Sequence, residues 1–405
     1  MWSCPGLRGG VNFCFGLIVV PDVTGPRSHA VALATAAVAA GLAAGCSHAG
    51  SPAPSATPPA PGRPAGNVTA VAAYLGGLAA SGRFTGTVLV ARDGRVLLDA
   101  GYGLADRAAR TPNRPATIFQ VGSVTKQFTA MAIAILAQQG RLRLAGRACA
   151  YLPSCPPAWR RITIAELLTH TSGIANWSSW RLTVPLPGEA TDPVRAIVAQ
   201  AQREPLAFRP GHRAAYSNPG YVVLGDIIQQ VSRMTYAAFL QRHIFGPLGM
   251  TRTGVYQGGP PGPGHALGYL ASGAVAETIL TAWSTAAGAV YSTTGDLDRW
   301  DQALITGHPR LVVPALLRQI LTVHAPCPYQ TCPLPADQGY GYGWFVGGSG
   351  AAKLANHSGS VDGFWAYNGF YPARDATVVI LSNLDTVAIN PLSARLNQLA
   401  AAPVK

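Results

Sequence analysis

The sequence predicts an α/β domain of the α+β type. One antiparallel sheet is contributed by both ends of the folded region, with a long helical insertion between them. Three observations point there. Residues 84–98 (FTGTVLVARDGRVLL) form two alternating apolar runs around Asp93-Gly94, a dipeptide that closes tight hairpins. Residues from about 160 to 320 carry helical patterns separated by Gly/Pro-rich loops. The last seventy residues return to strand patterns before a closing helix. Strands at both ends with helices between are most simply one sheet assembled from the two termini.

The 405 residues suffice for one large domain or two ordinary ones. Hydrophobic residues make up 48% and charged residues 12%, which excludes wholesale disorder. No apolar run within the folded region reaches the roughly 18 residues of a spanning helix. The net charge is +13, yet only Lys126, Lys353 and Lys405 are lysines; the other 27 basic residues are Arg. The Arg are scattered, never more than two in a row (Arg160-Arg161), and form no stripe interleaved with aromatics. That pattern speaks against nucleic acid as a partner. It fits a solubilising surface, or a mild attraction to an anionic envelope polymer.

From the N-terminus onward, each segment has its own signature. Residues 31–45 (VALATAAVAAGLAAG) are uncharged, follow Arg27 and end in small residues before Cys46. Residues 1–45 are therefore expected to be a secretory signal peptide. Leu42-Ala43-Ala44-Gly45-Cys46 resembles a bacterial lipobox, with the Leu one place early, which makes Cys46 the expected lipid attachment site. An ordinary signal peptide with a chance Cys is the alternative. Residues 1–22 fit no part of a signal, so Val23 is a candidate start, with 1–22 untranslated. Residues 46–67 are an anchor Cys and a Pro/Ala/Ser tether, too poor in large apolar residues to pack. The expected setting is the outer face of the cytoplasmic membrane or the cell wall, as a lipid-anchored monomer.

The folded region is 68–405, with its α/β part at about 68–122 and 335–405 and its helical part at about 123–334. A helix at 69–80 and the hairpin come first. Ser123–Gln139 reads as a long apolar helix stopped by Gly140. Helices then follow at Ile164–Leu168, Pro193–Gln202, Gly220–Val231, Tyr236–Ile244, Thr294–Ile305 and Pro314–Leu321. Strands are expected at Gly343–Val346, Phe364–Tyr371 and Thr377–Leu381, and a final helix at Pro391–Ala401. Four cysteines fall into two local pairs in Pro-containing loops, Cys149/Cys155 and Cys327/Cys332. In an oxidising compartment these read as two short disulfides. Metal binding is disfavoured because neither spacing is C-x-x-C and only His324 lies close by; four free thiols remain the bland alternative.

Three motifs carry chemistry. Ser123-Val124-Thr125-Lys126 starts the long apolar helix, and residues i and i+3 share a helix face. A Ser hydroxyl needs a base, and a Lys amine serves only if neutral, which burial and the positive helix end both favour. The same helix start aims backbone N–H groups outward, where one can stabilise an oxyanion. Tyr216-Ser217-Asn218 supplies a phenol for proton transfer and an amide to hold a substrate carbonyl or the Lys. The plainer reading is a loop Tyr packed on Pro219 with Asn218 as N-cap. His357-Ser358-Gly359 offers a small hydroxyl and a Gly on an edge strand, or simply a hydrophilic turn.

Together and in this order, S-x-x-K, Y-x-N and His-Ser-Gly resemble the serine β-lactamase and penicillin-binding-protein superfamily. The Tyr of the second motif makes the chain look like the class C branch, with its DD-peptidases, esterases and amidases. Residues 68–403 are covered, including FQVGSVTKQFTA (119–130), LLTHTSGI (167–174), YSNPGYVVLG (216–225) and NHSGSVDGF (356–364). The resemblance implies a β-lactamase/transpeptidase-like fold and a hydrolase without cofactor or metal. It assigns Ser123 as acylated nucleophile, Lys126 as base and Tyr216 as proton donor to the leaving group. It places Asn218, His357, Ser358, Gly359 and Ser360 in the substrate-binding site, with an oxyanion hole from the N–H groups of Ser123 and Ser360. His357 stands where β-lactamases usually carry Lys, either as a cation titrating near pH 6.5 for a substrate carboxylate or as a ring that only hydrogen-bonds Tyr216 or the strand; the His-Ser-Gly form resembles carboxypeptidases and esterases more than dedicated β-lactamases. His170 reads as structural. The implied substrates are D-alanyl peptides, β-lactams or esters. The rival is a penicillin-recognising or wall-sensing domain with little turnover. The loops 175–190 and 251–275 decide the substrate and carry no readable code; Trp177 and Trp180 either line the cleft or pack the loop.

Overall fold

A computed structural model describes residues 68–177, 192–277, 285–329 and 338–401. The signal segment, Cys46, the tether, Trp180 and Cys332 lie outside the described residues. Everything described belongs to the Arg63–Lys405 unit.

The chain opens with helix α1 (Val68–Ala80), then β1 (Gly86–Arg92) and β2 (Arg95–Tyr102). Asp93 and Gly94 join the two strands with φ of 52° and 68°, the two positive values that this tight turn demands. Short strands β3 (Leu104–Asp106), β4 (Thr111–Pro112) and β5 (Phe119–Gln120) lead to helix α2 (Thr125–Gln138). Helices α3 (Ile164–Leu168), α4 (Pro193–Arg203), α5 (Asn218–Ser232) and α6 (Tyr236–Leu240) follow. After β6 (Gly254–Val255) and β7 (Val290–Ser292) come α7 (Thr294–Thr306) and α8 (Pro314–Ile320). The C-terminal part holds β8 (Ala325–Pro326), β9 (Gly339–Tyr340), β10 (Phe345–Gly347), β11 (Leu354–Val361), β12 (Phe364–Tyr371), β13 (Ala376–Ser382) and α9 (Ile389–Ala401).

The main sheet is antiparallel, in the order β2-β1-β13-β12-β11-β10-β9-β8. The two ends of the fold meet inside it, with Val88 opposite Ile380 and Val90 opposite Val378. Those four side chains face α1 and α9, packing on Val71, Leu75, Leu392 and Leu396. Their neighbours Leu89, Val379 and Leu381 alternate to the other face and join Phe128 and Trp300 in the larger core. Period-two patterning thus buries both faces, at roughly 1.5–3 kcal/mol for each large apolar side chain. Helix α2 is buried on nearly every side, as its apolar, Ala-rich sequence demands. Helix α7, read from sequence as part of the helical region, packs on β13, β1 and β12.

Sequence patterning missed one long element. Leu354–Val361 forms β11, an eight-residue interior strand, although its Asn-His-Ser-Gly-Ser core shows no apolar alternation. Asn356 and His357 are buried against polar partners, as in the 2.6 Å bond from Asn356 Nδ2 to Gln338 Oε1. The two- and three-residue strands fall below the reach of periodicity. The sixth helix ends earlier than its pattern, because Gln241–Phe245 widens into a π turn closed by Gly246 N–H to Gln241 O at 2.9 Å. Cys149 and Cys155 form a disulfide with Cα atoms 5.4 Å apart, within the ordinary range. Cys327 is also disulfide-bonded. Among the described residues no helix is long and apolar enough to cross a membrane, and no His/Cys/Asp/Glu group could hold a metal.

Candidate active site

Ser123 lies in a single 3-10 turn, Gly122–Val124, that runs directly into α2. One turn on, the Lys126 amine is 2.9 Å from Ser123 Oγ, 2.8 Å from Asn218 Oδ1 and 2.7 Å from the Ala287 carbonyl oxygen. The side chain is fully buried, and burial pushes its amine well below the ordinary lysine range. No carboxylate pairs with it among the described residues. The aromatic rings of Tyr216 and Tyr221 lie 4.8 and 5.4 Å from the nitrogen. A neutral amine has two hydrogens and one lone pair. Asn218 Oδ1 and Ala287 O can only accept, so they take the two hydrogens. The lone pair is left for the Ser123 hydroxyl proton.

Ala287 carried no signal in the sequence; it is held in place by α2. Thr129 Oγ1 donates to Ala286 O at 2.6 Å, and Val290 N–H donates to Thr125 Oγ1 at 3.0 Å. The second acceptor of the Lys126 amine is thus fixed by residues on the same helix as the lysine.

The second motif sits at the start of α5. Ser217, not Asn218, is the N-cap, accepting from Gly220 N–H at 3.1 Å. Asn218 is therefore free to turn its amide toward Lys126. With Oδ1 engaged there, the Nδ2 group is the donor available to a substrate carbonyl. Tyr216 is locked from two sides. His170, in the left-handed region at φ 59°, ends α3 where Gly is usual, with Thr171 N–H bonded to Glu166 O at 2.9 Å. Its Nδ1 accepts from Ser217 N–H at 3.1 Å, its carbonyl accepts from Ala215 N–H at 2.9 Å, and its ring lies 4.3 Å from that of Tyr216. On the other side, Tyr216 N–H donates to Pro328 O at 3.2 Å and Tyr329 stacks on the Tyr216 ring at 4.8 Å. Burial, and next the Tyr329 phenol, push the Tyr216 phenol well above its ordinary range, with Ser123 acting in the opposite sense. The hydroxyl closes no hydrogen bond of ordinary geometry among the described residues. Tyr216 is thus a neutral phenol in the free protein.

The third motif lies on β11. Strand β10 pairs only with Leu354–Asn356, so the β10 side of His357–Val361 is an open edge among the described residues. The strand abuts the Ser123 turn without room for side chains. A Cβ at Gly359 would stand 2.0 Å from Val121 O and 2.7 Å from Ser123 N; one at Gly122 would stand 2.7 Å from Ser360 N. The two glycines thus bring the backbone nitrogens of Ser123 and Ser360 to one crossing, beside the Ser123 hydroxyl. Ser358 lies between, half-buried, opposite Tyr367 in the neighbouring strand.

Of the two readings of His357, the structure fits the ring that hydrogen-bonds the strand and not the titrating cation, with Tyr340 in place of Tyr216 as its other partner. It is 1% exposed, with Nδ1 bonded to Ser358 O at 2.6 Å and Nε2 to the Tyr340 hydroxyl at 3.0 Å. Nδ1 therefore carries the hydrogen and Nε2 accepts. Burial pushes the ring down to about 3. The neutral ring props the strand from within. Of the residues the motifs left out, Ala287 and Tyr329 are the ones the fold adds; Tyr221, His170 and, in GYGYGWFV (339–346), Tyr340 lie within stretches that carried the resemblance. Trp177 packs on the core. The 259–277 segment lines an apolar cavity of about 260 Å³ that includes Gly268, whose backbone meets the Gly363 turn after β11.

Comparison with known proteins agrees with this arrangement. The chain is 29% identical to Protein flp of Staphylococcus aureus (strain MRSA252), over 77% of its own length and 62% of that protein. It thus spans less than two thirds of that relative. It is 30% identical to the putative penicillin-binding protein PbpX of Bacillus subtilis (strain 168), covering 75% of this chain and 72% of that one. The crystal structure of a penicillin-binding protein from Bacillus halodurans superposes with a TM-score of 0.69 at 26% identity, over 80% of this chain and 99% of that one. The profile of the Beta-lactamase family matches residues 53–402, and with the antiparallel sheet and the Ser-Lys-Tyr cluster in place, the chain belongs to that family.

Proposed function

We propose that the protein is a serine hydrolase that forms an acyl-enzyme on Ser123 and acts on neutral esters and amides, D-alanyl amides and esters included. The observation that carries this is the Lys126 amine, 2.9 Å from Ser123 Oγ with both its hydrogens committed elsewhere. The lone pair takes the Ser123 proton as Oγ attacks the acyl carbon. The carbonyl oxygen becomes an oxyanion between the N–H groups of Ser123 and Ser360. Collapse breaks the bond to the leaving oxygen or nitrogen, which takes the Tyr216 proton; Tyr216 recovers one from Lys126. Water then attacks the ester on Ser123, passing its proton back along the same route, and Ser123 is regenerated.

The uncharged His357 supports neutral substrates. A carboxylate placed at β11 would meet a neutral ring instead of an ammonium, so β-lactams and peptides ending in a free carboxylate lose one charge-assisted contact. Export and a lipid anchor at Cys46 belong to the same proposal. They are supported by residues 31–46 and by the Cys149–Cys155 disulfide, which suits an oxidising compartment.

The test is a hydrolysis panel of nitrophenyl acyl ester, D-alanine amide, chromogenic cephalosporin and D-Ala-D-Ala peptide, run beside fluorophosphonate labelling. The ester and amide should turn over fastest, and Ser123→Ala should abolish both label and turnover while the fold persists. A stable label without turnover on any substrate would replace the hydrolase with a sensor.

A further inference from the structure

Tyr329 is a partly exposed ring stacked against both the proposed proton donor and Phe345. Its ring lies 4.8 Å from that of Tyr216 at 22°, and 5.8 Å from that of Phe345 at 19°. Phe345 is 1% exposed and the Tyr216 hydroxyl is buried, whereas Tyr329 is 41% exposed. The Pro328 carbonyl beside it accepts from Tyr216 N–H at 3.2 Å, and Cys327 before that is disulfide-bonded. The loop that carries Tyr329 is thus bonded to the very residue on which the ring stacks.

We infer that Tyr329 is the platform for the leaving group and selects leaving groups that carry an aromatic or flat apolar substituent. The inference rests on the proposed role of Tyr216. If Tyr216 hands its proton to the leaving atom, that atom sits at the Tyr216 hydroxyl. A substituent on it then extends over the neighbouring surface, which on one side is the Tyr329 ring. A phenyl group stacked there gains the usual aromatic pair contact, worth about a threefold to tenfold preference. Carboxylate-bearing leaving groups gain nothing from the ring.

The test uses benzyl and ethyl esters of one N-acyl-D-alanine. Both form the same acyl-enzyme, so hydrolysis of the intermediate is common to them and only the leaving group differs. Wild type should favour the benzyl ester in kcat/KM by about tenfold, after correction for the uncatalysed rates. Tyr329→Ala should bring the ratio to within about twofold of unity, and Tyr329→Phe should keep it, because stacking needs the ring and not the hydroxyl. An equal loss on both esters in Tyr329→Ala would mean that the ring only positions Tyr216, and would overturn the platform. So would an unchanged ratio. Fluorophosphonate labelling of Ser123 in the same proteins separates the two readings. Labelled enzyme with no leaving-group preference rejects the platform alone, whereas no labelling of wild type rejects the acyl-enzyme beneath it.

Discussion

Replacing Lys126 by Met tests the neutral base through the pH dependence of stability. Burial holds the folded amine neutral well below the range in which an unfolded lysine titrates. Below that unfolded range, the unfolded chain binds a proton that the folded chain does not. Wild-type stability therefore rises with pH, by ~1.4 kcal/mol per unit for one proton, until the unfolded lysine itself deprotonates near about pH 10.4. Methionine binds no proton. The unfolding free energy of wild type minus that of Lys126→Met should climb between pH 7 and pH 9, by up to ~1.4 kcal/mol per unit. The intercept is set by opposing effects. Methionine removes the cost of stripping a lysine of its proton, but Asn218 Oδ1 and Ala287 O lose their donor, at about 1–3 kcal/mol each when buried. Urea unfolding followed by circular dichroism at pH 7, 8 and 9 gives the slope directly. A flat difference would mean that Lys126 is charged in the folded chain, and the base assignment would fall. Turnover of a nitrophenyl ester should drop on the order of 10⁴-fold or more in the same variant, since nucleophile and base act as a unit.

Three further outcomes are expected. With the His357 ring pushed down to about 3, the pH profiles of kcat/KM for a carboxylate-bearing substrate and a neutral ester should share one shape from pH 5.5 to 8; a step near pH 6.5 confined to the charged substrate would restore a cation at His357. Asp301 is fully buried, and burial raises its carboxyl well above the ordinary range, so the folded chain holds a proton that the unfolded chain releases and stability is lost as pH rises. Asp301→Asn keeps the shape and removes that penalty, so its stability advantage over wild type should grow from pH 4 upward, by up to ~1.4 kcal/mol per unit; equal pH dependence in both would show an ionised Asp301. Replacing Cys149 and Cys155 together by Ser should cost about 2–3 kcal/mol in chemical unfolding, and no change would mean that the short loop constrains nothing.

Much of the fold was legible because its signals are local. Asp93-Gly94 accepts two positive φ values, which fixes the hairpin and the pairing of Arg92 with Arg95 and Ala91 with Val96, before the register shifts at Val90. Gly140, at φ 70°, stops α2 as read. The strands Phe364–Tyr371 and Ala376–Ser382 carry apolar residues on both faces because helices cover both, and they stood out as apolar runs. Strand β11 was hidden by its composition. A strand that abuts the Ser123 turn, with an open edge among the described residues, carries Gly and polar side chains where a core strand would carry Val. Its burial is supported by partners far away in sequence, such as Tyr340 under His357.

The spacing of Ser123 and Lys126 is likewise a property of one helical turn, and the sequence alone places that hydroxyl and that amine within reach of each other. Their charge states are not local. Burial pushes the Lys126 amine down, and that burial is built by Asn218, 92 residues on, Ala287, 161 residues on, and the rings of Tyr216 and Tyr221, with no carboxylate among the described residues to oppose it. His357 reads from sequence either as a cation in place of a lysine or as a ring that only hydrogen-bonds, and tertiary packing makes it neutral by closing Phe345 and Tyr340 around it. Spacing along a chain decides which atoms can meet. The free energy of removing a charge from water depends on everything that surrounds it, and that is assembled only when distant segments pack together.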